Sequence, residues 1–488
     1  MATIDLTMYP DRLERTVKRA RDRNIIIPTF EQMRNPSLVP DKVKEELTKI
    51  GLWDLHPRNL FRITWHNEPK PSGGLYGGPN YMEFPQSLTG VPARILALEG
   101  KWMPTGSHKV GAAFGCLVPR LVTGQFDPTQ QKAVWPSTGN YCRGGAYDSA
   151  LLACESIAIL PELMSQERFD WLASIAGEVI RTPGSESNVK EIFDKCWELR
   201  ATGEDLMIFN QFDEFGNHLW HYYLTGRALE RMFNEVAGPK DTYWGVASAT
   251  GSAGTIAAGD YLKKVFPESH VVASEAVQCP TLLYNGFGAH RIEGIGDKHV
   301  PWIHNARNTD TLVAIDDNAV VNLARVFNEP EGKAHLVKSG VPEETVEKLD
   351  LLGFSSISNV LSAIKVAKYY ELSENDVIVT MLTDSMELYQ SRLREMREDM
   401  GEYSEKQAAV DDARWLKGIE IDHLEDLTYM GQKRIHNLKY YTWVEQQGKT
   451  YKEILEQWYQ RDYWNELQAQ VPEIDAKIKA FNERVGLL

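Results

Sequence analysis

The chain has 488 residues, 43% of them hydrophobic and 25% charged, which is the composition of a globular protein with two or more compact units. The formal net charge of −15 argues against an extended surface for nucleic acid or for anionic membranes. Five scattered cysteines without a CxxC pair predict reduced thiols, and we see neither a secretory apolar region nor a run of about 18 apolar residues, so we expect a cytoplasmic protein.

Strands and helices are predicted to alternate along the middle of the chain. Residues 1–90 mix charged residues with Pro and Gly and indicate an N-terminal arm. From residue 93, apolar runs predict strands at 93–99, 132–135, 156–160, 242–248 and 270–274, and helical spacing predicts helices at 109–118, 144–154, 166–177 and 256–265. This alternation favours parallel sheets covered by helices, with functional groups in the turns that follow the strands.

The last part of the chain has a different composition. After about residue 397 it is polar, helical in pattern and rich in large aromatic residues. Five side chains fall close to one helical face, namely Tyr451, Leu455, Trp458, Tyr459 and Tyr463. We expect this face to pack on the main body; a subunit interface and a cap over the active site are the alternatives.

A first candidate for chemistry is the lysine in the string Pro104-Thr-Gly-Ser-His-Lys109, just inside a predicted helix. The positive end of the helix dipole and partial burial both disfavour the ammonium form of Lys109. A neutral amine is what imine formation with an aldehyde requires. Most lysines at helix starts are simply solvated, so this feature by itself is a weak indication.

A second candidate is the turn Ser137-Thr-Gly-Asn140, which precedes another helix. Two hydroxyls, backbone N–H groups and an amide at a helix start suit a carboxylate ligand. The amide of Asn140 could also bond an oxygen on a ring. An ordinary N-cap turn is the alternative interpretation.

The third candidate is Gly251-Ser-Ala-Gly-Thr255, which follows a predicted strand and leads directly into a helix. Its glycines allow backbone amides to approach an anion, so the turn is a candidate phosphate site. It lacks the Lys-Ser/Thr ending of a nucleoside-triphosphate loop. A phosphate on a small cofactor is therefore the better interpretation, and a plain connecting turn is the alternative.

Together and in this order, the three turns resemble the fold type II pyridoxal 5′-phosphate (PLP) family, which includes cysteine synthase, cystathionine β-synthase, threonine dehydratase and tryptophan synthase β. Further similar segments include Asn210-Gln-Phe-Asp, Gly353-Phe-Ser-Ser and Thr383-Asp-Ser385, together with residues 161–165, 177–184, 274–276 and 290–301. The resemblance covers residues 93–392. It implies an α/β fold with two domains of parallel sheets covered by helices, to which this chain adds a helical C-terminal extension.

The resemblance also implies roles for individual residues. Lys109 would be the catalytic Schiff-base lysine. Four further groups would bind the cofactor: the side chain of Asn140, the phosphate turn (Gly251, Ser252, Ala253, Gly254 and Thr255), Ser355 in the loop that borders the cofactor, and Ser385 facing the pyridine nitrogen. The substrate carboxylate would be held by Ser137, Thr138, Gly139 and Gln211. Arg143 is a candidate clamp for a second carboxylate, with a structural ion pair as the alternative.

The expected domain boundaries follow from the same comparison. Residues 1–90 form an arm that belongs to the larger domain, and residues 91–235 form the smaller domain with the lysine and the carboxylate turn. Residues 236–395 form the larger domain with the phosphate turn, and residues 396–488 form the extension. A homodimer is expected from the resemblance.

The expected reaction is β-elimination or β-replacement on a small amino acid with a leaving group on Cβ, through an aminoacrylate intermediate. Candidate substrates are cysteine, serine, O-acylserine and diaminopropionate. A neutral serine at the pyridine nitrogen makes the cofactor a weaker electron sink, which disfavours transamination. The alternatives are a hydroxyamino-acid dehydratase or racemase, and a non-catalytic binding module on the same fold.

Some residues depart from the family pattern or invite other interpretations. Ser137 stands where tryptophan synthase β has a catalytic glutamate, so indole addition is not expected. His218 and His221 could share a helical face as metal ligands, but no third ligand is near in sequence, and we expect no metal site. Cys142 is expected to be a packing residue rather than a nucleophile. Glu293 and Asp297 lie in a turn that could shape the pocket entrance.

Overall fold

The structure is a computed structural model that describes residues 3–487. Its strands are β1 (Tyr81–Phe84), β2 (Arg94–Glu99), β3 (Lys132–Pro136), β4 (Ser156–Pro161), β5 (Glu178–Thr182), β6 (Leu206–Ile208), β7 (Thr242–Ala249), β8 (His270–Ala276), β9 (Thr311–Ile315), β10 (Asp376–Leu382) and β11 (Leu424–Asp426). The predicted strands at 93–99, 132–135, 156–160, 242–248 and 270–274 are therefore confirmed to within two residues at each end.

The helices account for most of the remaining chain. The first half contains α1 (Pro10–Asp22), α2 (Phe30–Arg34), α3 (Asp41–Leu47), α4 (Gln86–Thr89), α5 (Lys109–Thr123), α6 (Asn140–Leu151), α7 (Gln166–Ile175), α8 (Val189–Ala201), α9 (Phe215–Trp220) and α10 (Gly226–Val236). The second half contains α11 (Ile256–Val265), α12 (Thr281–Tyr284), α13 (Asp317–Asn328), α14 (Pro330–Lys338), α15 (Glu343–Glu347), α16 (Phe354–Tyr369), α17 (Gln390–Met400), α18 (Glu405–Asp411), α19 (Tyr429–Lys439), α20 (Tyr451–Tyr459), α21 (Tyr463–Gln468) and α22 (Val471–Val485).

The larger sheet has the strand order β1-β2-β10-β7-β8-β9-β11. Its central strands are parallel, and both edge strands run antiparallel to their neighbours. Strand β2 was expected in the smaller domain, which was taken to begin at residue 91. The structure corrects this, because β2 pairs with β10 in parallel from Arg94 to Glu99 and so lies in the larger sheet.

The smaller sheet has the order β5-β4-β3-β6 and is parallel throughout. Every residue of β4 is buried, as expected for a strand that is covered by helices on both faces. Strand β3 ends at Pro136 and α6 begins four residues later at Asn140. The turn between them carries the predicted carboxylate site, at the carboxyl edge of the sheet.

Helix α5 links the two sheets, since it follows β2 of the larger sheet and packs along α6 of the smaller one. Two glycines allow a third helix, α9, to cross α5 closely. A Cβ atom added at Gly115 would lie 2.3 Å from the carbonyl oxygen of Gly216, and one added at Gly216 would lie 2.1 Å from that of Gly115. This close packing fixes the position of α5 and therefore of Lys109 at its first turn.

The C-terminal extension packs against the body of the protein. Helix α22 lies against α1 and α5, and the short strand β11 extends the larger sheet, so the extension is helical except for that strand. The predicted aromatic face is only partly correct: Trp458 and Tyr463 are buried, whereas Tyr451 and Tyr459 are exposed. In the described chain, 3–487, we find no helix with the length and apolar character needed to cross a membrane.

Candidate active site

A cleft of about 480 Å³ lies where the turns after the strands of both sheets meet. Its lining residues are His108, Lys109, Ser137, Thr138, Asn140, Tyr141, Glu186, Val189, Gln211, Phe212, Gly251, Ser252, Gly294, Ile295, Gly296, Asp297, Ser355 and Thr383. The three turns singled out from the sequence thus contribute to a single cavity. Parallel strands present their carboxyl ends at one edge of a sheet, and this explains the convergence.

Lys109 lies in this cleft at the start of α5. Its Nζ atom donates to the Oγ atom of Ser252 at 2.9 Å and to the Oε1 atom of Gln211 at 3.2 Å. Burial lowers the pKa of Lys109 to about 8. About a tenth of the amine is then neutral at pH 7 and about half at pH 8, and the neutral form is the nucleophile for an aldehyde.

The turn from Gly251 to Thr255 lies between β7 and α11 and has unpaired backbone donors. Within residues 3–487, none of its five backbone N–H groups donates to a protein acceptor. Ala253 has a φ of 62°, a left-handed conformation that helps to turn successive amides inward. Gly251 and Ser252 line the cleft directly. Free N–H groups at the start of a helix form an anion site.

The turn from Ser137 to Asn140 forms the opposite wall. The Oγ atom of Ser137 accepts from the backbone N–H of Gly139 at 3.0 Å and from the Nε2 atom of Gln211 at 3.4 Å. A Cβ atom added at Gly139 would lie 2.5 Å from the Nη1 atom of Arg168, so the turn packs tightly onto that guanidinium. Ser137, Thr138 and Gln211 thus surround one part of the cleft, next to Lys109.

Asn140 joins this turn to the larger sheet. Its Nδ2 atom donates to the Oδ2 atom of Asp384 at 2.5 Å, and the hydroxyl of Tyr389 donates to the same oxygen at 2.5 Å. Burial raises the pKa of Asp384 above its usual range. The Oδ1 atom of Asn140 is buried without a hydrogen-bond partner in the described chain. Because Asn140 lines the cleft, this free acceptor suits a hydroxyl on a bound ring.

Ser355 and Thr383 provide a pair of hydroxyls on the cleft wall, with their oxygens 2.5 Å apart. Ser385 was expected to face a pyridine nitrogen. Ser385 is buried and is not among the residues that line the cleft in the described chain, and its role toward the ring nitrogen stays a prediction.

Arg143 does not line the cleft either, although it was a candidate clamp for a second carboxylate. Its guanidinium lies 4.6 Å from the centre of the Trp171 ring and 6.0 Å from that of Trp53. Arg143 lies three residues after Asn140 on α6, and its side chain is directed to these aromatic rings rather than to the turn. These contacts indicate a cation packed against aromatic rings, and the clamp for a second carboxylate stays a prediction.

Glu186 is a cleft residue that the sequence analysis did not identify. It follows β5 at the carboxyl edge of the smaller sheet, four residues after Thr182. The hydroxyl of Thr138 donates to its Oε1 atom. Its position after a parallel strand is the only signal that could have found it, because no recognisable motif surrounds it.

The two acidic residues and the two histidines that the sequence analysis also considered lie partly inside and partly outside the cleft. Asp297 lines the cleft, whereas Glu293 forms an ion pair with Arg168 at 2.8 Å beside it. His218 approaches Gln468 of the extension at 3.2 Å, while His221 bonds Thr225. In the described residues, no group of three or more His, Cys, Asp or Glu side chains is placed to hold a metal.

The side chains of the cleft fit pyridoxal phosphate. Free N–H groups at 251–255 suit the phosphate, the amine of Lys109 suits the aldehyde, and the unpaired Oδ1 atom of Asn140 suits the ring hydroxyl. The hydroxyls of Ser355 and Thr383 suit the ring nitrogen. Each functional group of the cofactor therefore has a complementary partner in the cleft.

Comparisons with known proteins agree with this fit. Residues 82–342 match the family of pyridoxal-phosphate dependent enzymes. A probable cysteine synthase of Bacillus subtilis is 29% identical over 289 residues, which cover 59% of this chain and 85% of that protein. A cystathionine beta-synthase of Saccharomyces cerevisiae is 26% identical over 316 residues, covering 63% of this chain and 59% of that protein.

Solved structures show the same fold. A hydrogen sulfide-producing enzyme from Fusobacterium nucleatum aligns with a TM-score of 0.52 and 21% identity, covering 64% of this chain and 93% of that one. An O-acetyl serine sulfhydrylase from Entamoeba histolytica aligns with a TM-score of 0.56 and 23% identity, covering 69% and 93%. With more than half of its residues matched by the family and a cleft that fits the cofactor, the chain belongs to the pyridoxal-phosphate dependent enzymes, with the fold of the cysteine synthases.

Proposed function

We propose that this enzyme catalyses elimination or replacement at the β-carbon of a small amino acid such as serine, an O-acylserine, cysteine or diaminopropionate. The similarity to cysteine synthase and cystathionine beta-synthase supports this reaction class. The observation that carries it is the position of Lys109, whose amine bonds both Ser252 of the phosphate turn and Gln211, a predicted ligand of the substrate carboxylate.

The residues that would hold the cofactor follow from the cleft. Lys109 would form the covalent link, residues 251–255 would bind the phosphate, and Asn140 would bond the ring hydroxyl. We assign the ring nitrogen to Ser355 and Thr383 in place of Ser385, because their hydroxyls line the cavity. When bound, PLP supplies an electron sink that stabilises negative charge at the substrate Cα.

The protein supplies orientation and proton transfer. Ser137, Gly139 and Gln211 hold the substrate carboxylate and so fix the Cα–H bond relative to Lys109. With a pKa of about 8, the Nζ atom of Lys109 is able to take the Cα proton and later to return it. The neutral hydroxyls at Ser355 and Thr383 place no carboxylate against the ring nitrogen, which favours loss of the β-substituent over transamination.

The reaction class is tested by turnover of single amino acids. Purified enzyme loaded with PLP is incubated with serine, O-acetylserine, cysteine and diaminopropionate, with and without sulfide as a nucleophile. Release of pyruvate or formation of a β-substituted alanine is expected from at least one of them. Racemisation without loss of the β-substituent, or no turnover by a PLP-loaded enzyme, contradicts the proposal.

Three broader features are also proposals. We infer a homodimer and a cytoplasmic location, both supported by the resemblance to cysteine synthases. The division into an arm, two domains and an extension is supported by the separate sheets, with β2 moved to the larger domain. Light scattering of the purified protein tests the dimer, and a monomer at micromolar concentration contradicts it.

A further inference from the structure

Glu186 places a second ionisable group near the amine of Lys109. Both residues line the same cleft, and the charge of Glu186 influences the titration of Lys109. The carboxyl group is 2% exposed. It belongs to the loop between β5 and α8, and none of the roles assigned above uses it.

The two oxygens of the Glu186 carboxyl group differ, because only one of them has a hydrogen-bond partner. The Oε1 atom accepts a hydrogen bond from the Thr138 hydroxyl, whereas the Oε2 atom is buried without a hydrogen-bond partner in residues 3–487. The nearest guanidinium, that of Arg168, is 3.8 Å from Oε2, because it pairs more closely with Glu293 at 2.8 Å. Burial without a direct hydrogen bond disfavours the charged form at this oxygen, while the Arg168 guanidinium and the backbone N–H of Gly294 act in the opposite direction.

The charged groups around Glu186 act in opposite directions. Arg168 on α7 favours the carboxylate, as does Lys109 on α5 when it is charged, whereas Glu293 in the loop after β8 opposes it. Burial outweighs the attraction and raises the pKa of Glu186 to about 8. The group is thus largely protonated at neutral pH, where it has a proton to donate.

We propose that Glu186 is the acid that protonates the group leaving from the substrate β-carbon, so that the enzyme accepts amino acids with a poor leaving group, such as the hydroxyl of serine. This inference rests on the proposed function. The O–H bond of Glu186 breaks as the Cβ–O bond breaks, and the departing oxygen leaves as water. In a replacement, the incoming nucleophile loses its proton to the Glu186 carboxylate as its bond to Cβ forms, which restores the acid.

Leaving groups differ in their need for this proton. Hydroxide is a strong base and requires protonation as it leaves, whereas acetate is a weak base and does not. Asp297 is the other carboxyl on the cleft wall. Its Oδ1 atom accepts from the backbone N–H of His299 at 3.1 Å and lies 3.0 Å from the Nδ1 atom of the His299 ring, and its Oδ2 atom, like Oε2 of Glu186, is buried without a hydrogen-bond partner in residues 3–487. Asp297 is therefore the rival that the test must separate from Glu186.

The test compares serine with O-acetylserine in PLP-loaded wild-type enzyme and in Glu186→Gln. The amide keeps the size of the side chain but has no acidic proton. We expect kcat with serine to fall about 100-fold or more, and kcat with O-acetylserine to fall less than about threefold. The matched control is Glu191→Gln, a neighbouring partly exposed glutamate outside the cleft, for which both rates should stay unchanged.

A second readout does not depend on turnover. In the cofactor-free protein, the infrared C=O stretch of a protonated carboxyl is recorded against pH, and the spectrum of Glu186→Gln is subtracted from that of the wild type. The C=O band in this difference spectrum should disappear as the pH rises, with a midpoint near pH 8. A midpoint near the usual value for glutamate contradicts the proposal. If Glu186→Gln does not fold, Glu186→Asp replaces it in the kinetic test. The shorter side chain holds the acid farther from the substrate and should reduce only the rate with serine.

The outcomes separate this inference from the proposed function. Equal losses with both substrates, no loss with either, or a serine-specific loss in Asp297→Asn but not in Glu186→Gln would overturn the role of Glu186. A wild-type enzyme that uses O-acetylserine but not serine also overturns it and leaves the proposed function intact. A PLP-loaded wild-type enzyme without activity on any of the amino acids contradicts the proposed function itself.

Discussion

The Nζ atom of Lys109 lies 2.9 Å from the Oγ atom of Ser252, so the first turn of α5 touches the turn that precedes α11. The Oγ atom of Ser252 also accepts from the Nδ2 atom of Asn217 at 2.9 Å. The serine therefore holds the amine in a fixed position at the edge of the phosphate turn. A phosphorylated aldehyde bound at this turn would therefore lie next to the amine.

The first prediction concerns the pH dependence of cofactor loading. Burial lowers the pKa of Lys109 from 10.5 to about 8, and only the neutral amine attacks an aldehyde. The rate of loading should therefore rise with pH and level off above about pH 8. Stopped-flow absorbance of the cofactor-free protein mixed with PLP measures this rate. A midpoint near 10 would indicate that the amine is solvated.

The second prediction separates Ser355 from Ser385. Ser355→Ala removes a hydroxyl from the cleft wall and should weaken PLP binding about two- to tenfold, the usual effect of one neutral hydrogen bond. Ser385→Ala should leave the affinity unchanged, because Ser385 does not line the cleft in the described structure. Fluorescence titration of both variants with PLP gives the two dissociation constants. The reverse order of effects would restore the expectation made from the sequence.

The third prediction concerns Arg168, which is fully buried and donates to the carbonyl oxygen of Thr138 at 2.9 Å. Arg168→Met leaves the buried Glu293 carboxylate without the guanidinium that lies 2.8 Å from it. We expect the free energy of unfolding to fall by about 3–5 kcal/mol, as for other broken buried ion pairs. Urea denaturation measures the change. Adding Glu293→Gln to the same chain should recover part of the loss, and no recovery would argue against the ion pair as its cause.

The fourth prediction tests the crossing of α5 and α9. Gly216→Ala places a methyl group 2.1 Å from the carbonyl oxygen of Gly115. Such overpacking should destabilise the protein by about 1–3 kcal/mol. The control is Gly77→Ala, since a Cβ atom there meets nothing within 4 Å. Thermal unfolding of the two variants provides the comparison, and equal midpoints would contradict the tight crossing.

Much of the fold could be predicted because strands and helices alternate with clear apolar patterns. The predicted helix at 256–265 agrees with α11 at both ends, and the predicted strand at 93–99 agrees with β2 except for Ala93. The pattern of β2 could not indicate its sheet, because Ile95, Leu96, Ala97 and Leu98 would be buried equally well in either one. Only the pairing with β10, nearly 300 residues away, settles its position.

The site was predictable where the residues form turns after strands. The turns at Lys109, Ser137 and Gly251 meet as expected. Sequence spacing cannot give side-chain direction beyond a turn, so it could not indicate that Ser385 and Arg143 lie outside the lining of the described cleft. Glu186 was missed for a different reason: its role depends on burial and on Thr138, a neighbour 48 positions away.

The central claim is that Lys109 carries the cofactor, and covalent mapping tests it most directly. The PLP-loaded enzyme is reduced with borohydride, digested and analysed by mass spectrometry. We expect the cofactor on the peptide that contains Lys109, and no labelled peptide and no visible absorption band in Lys109→Ala. Attachment to another lysine, or a retained absorption band in Lys109→Ala, would contradict the account of this site.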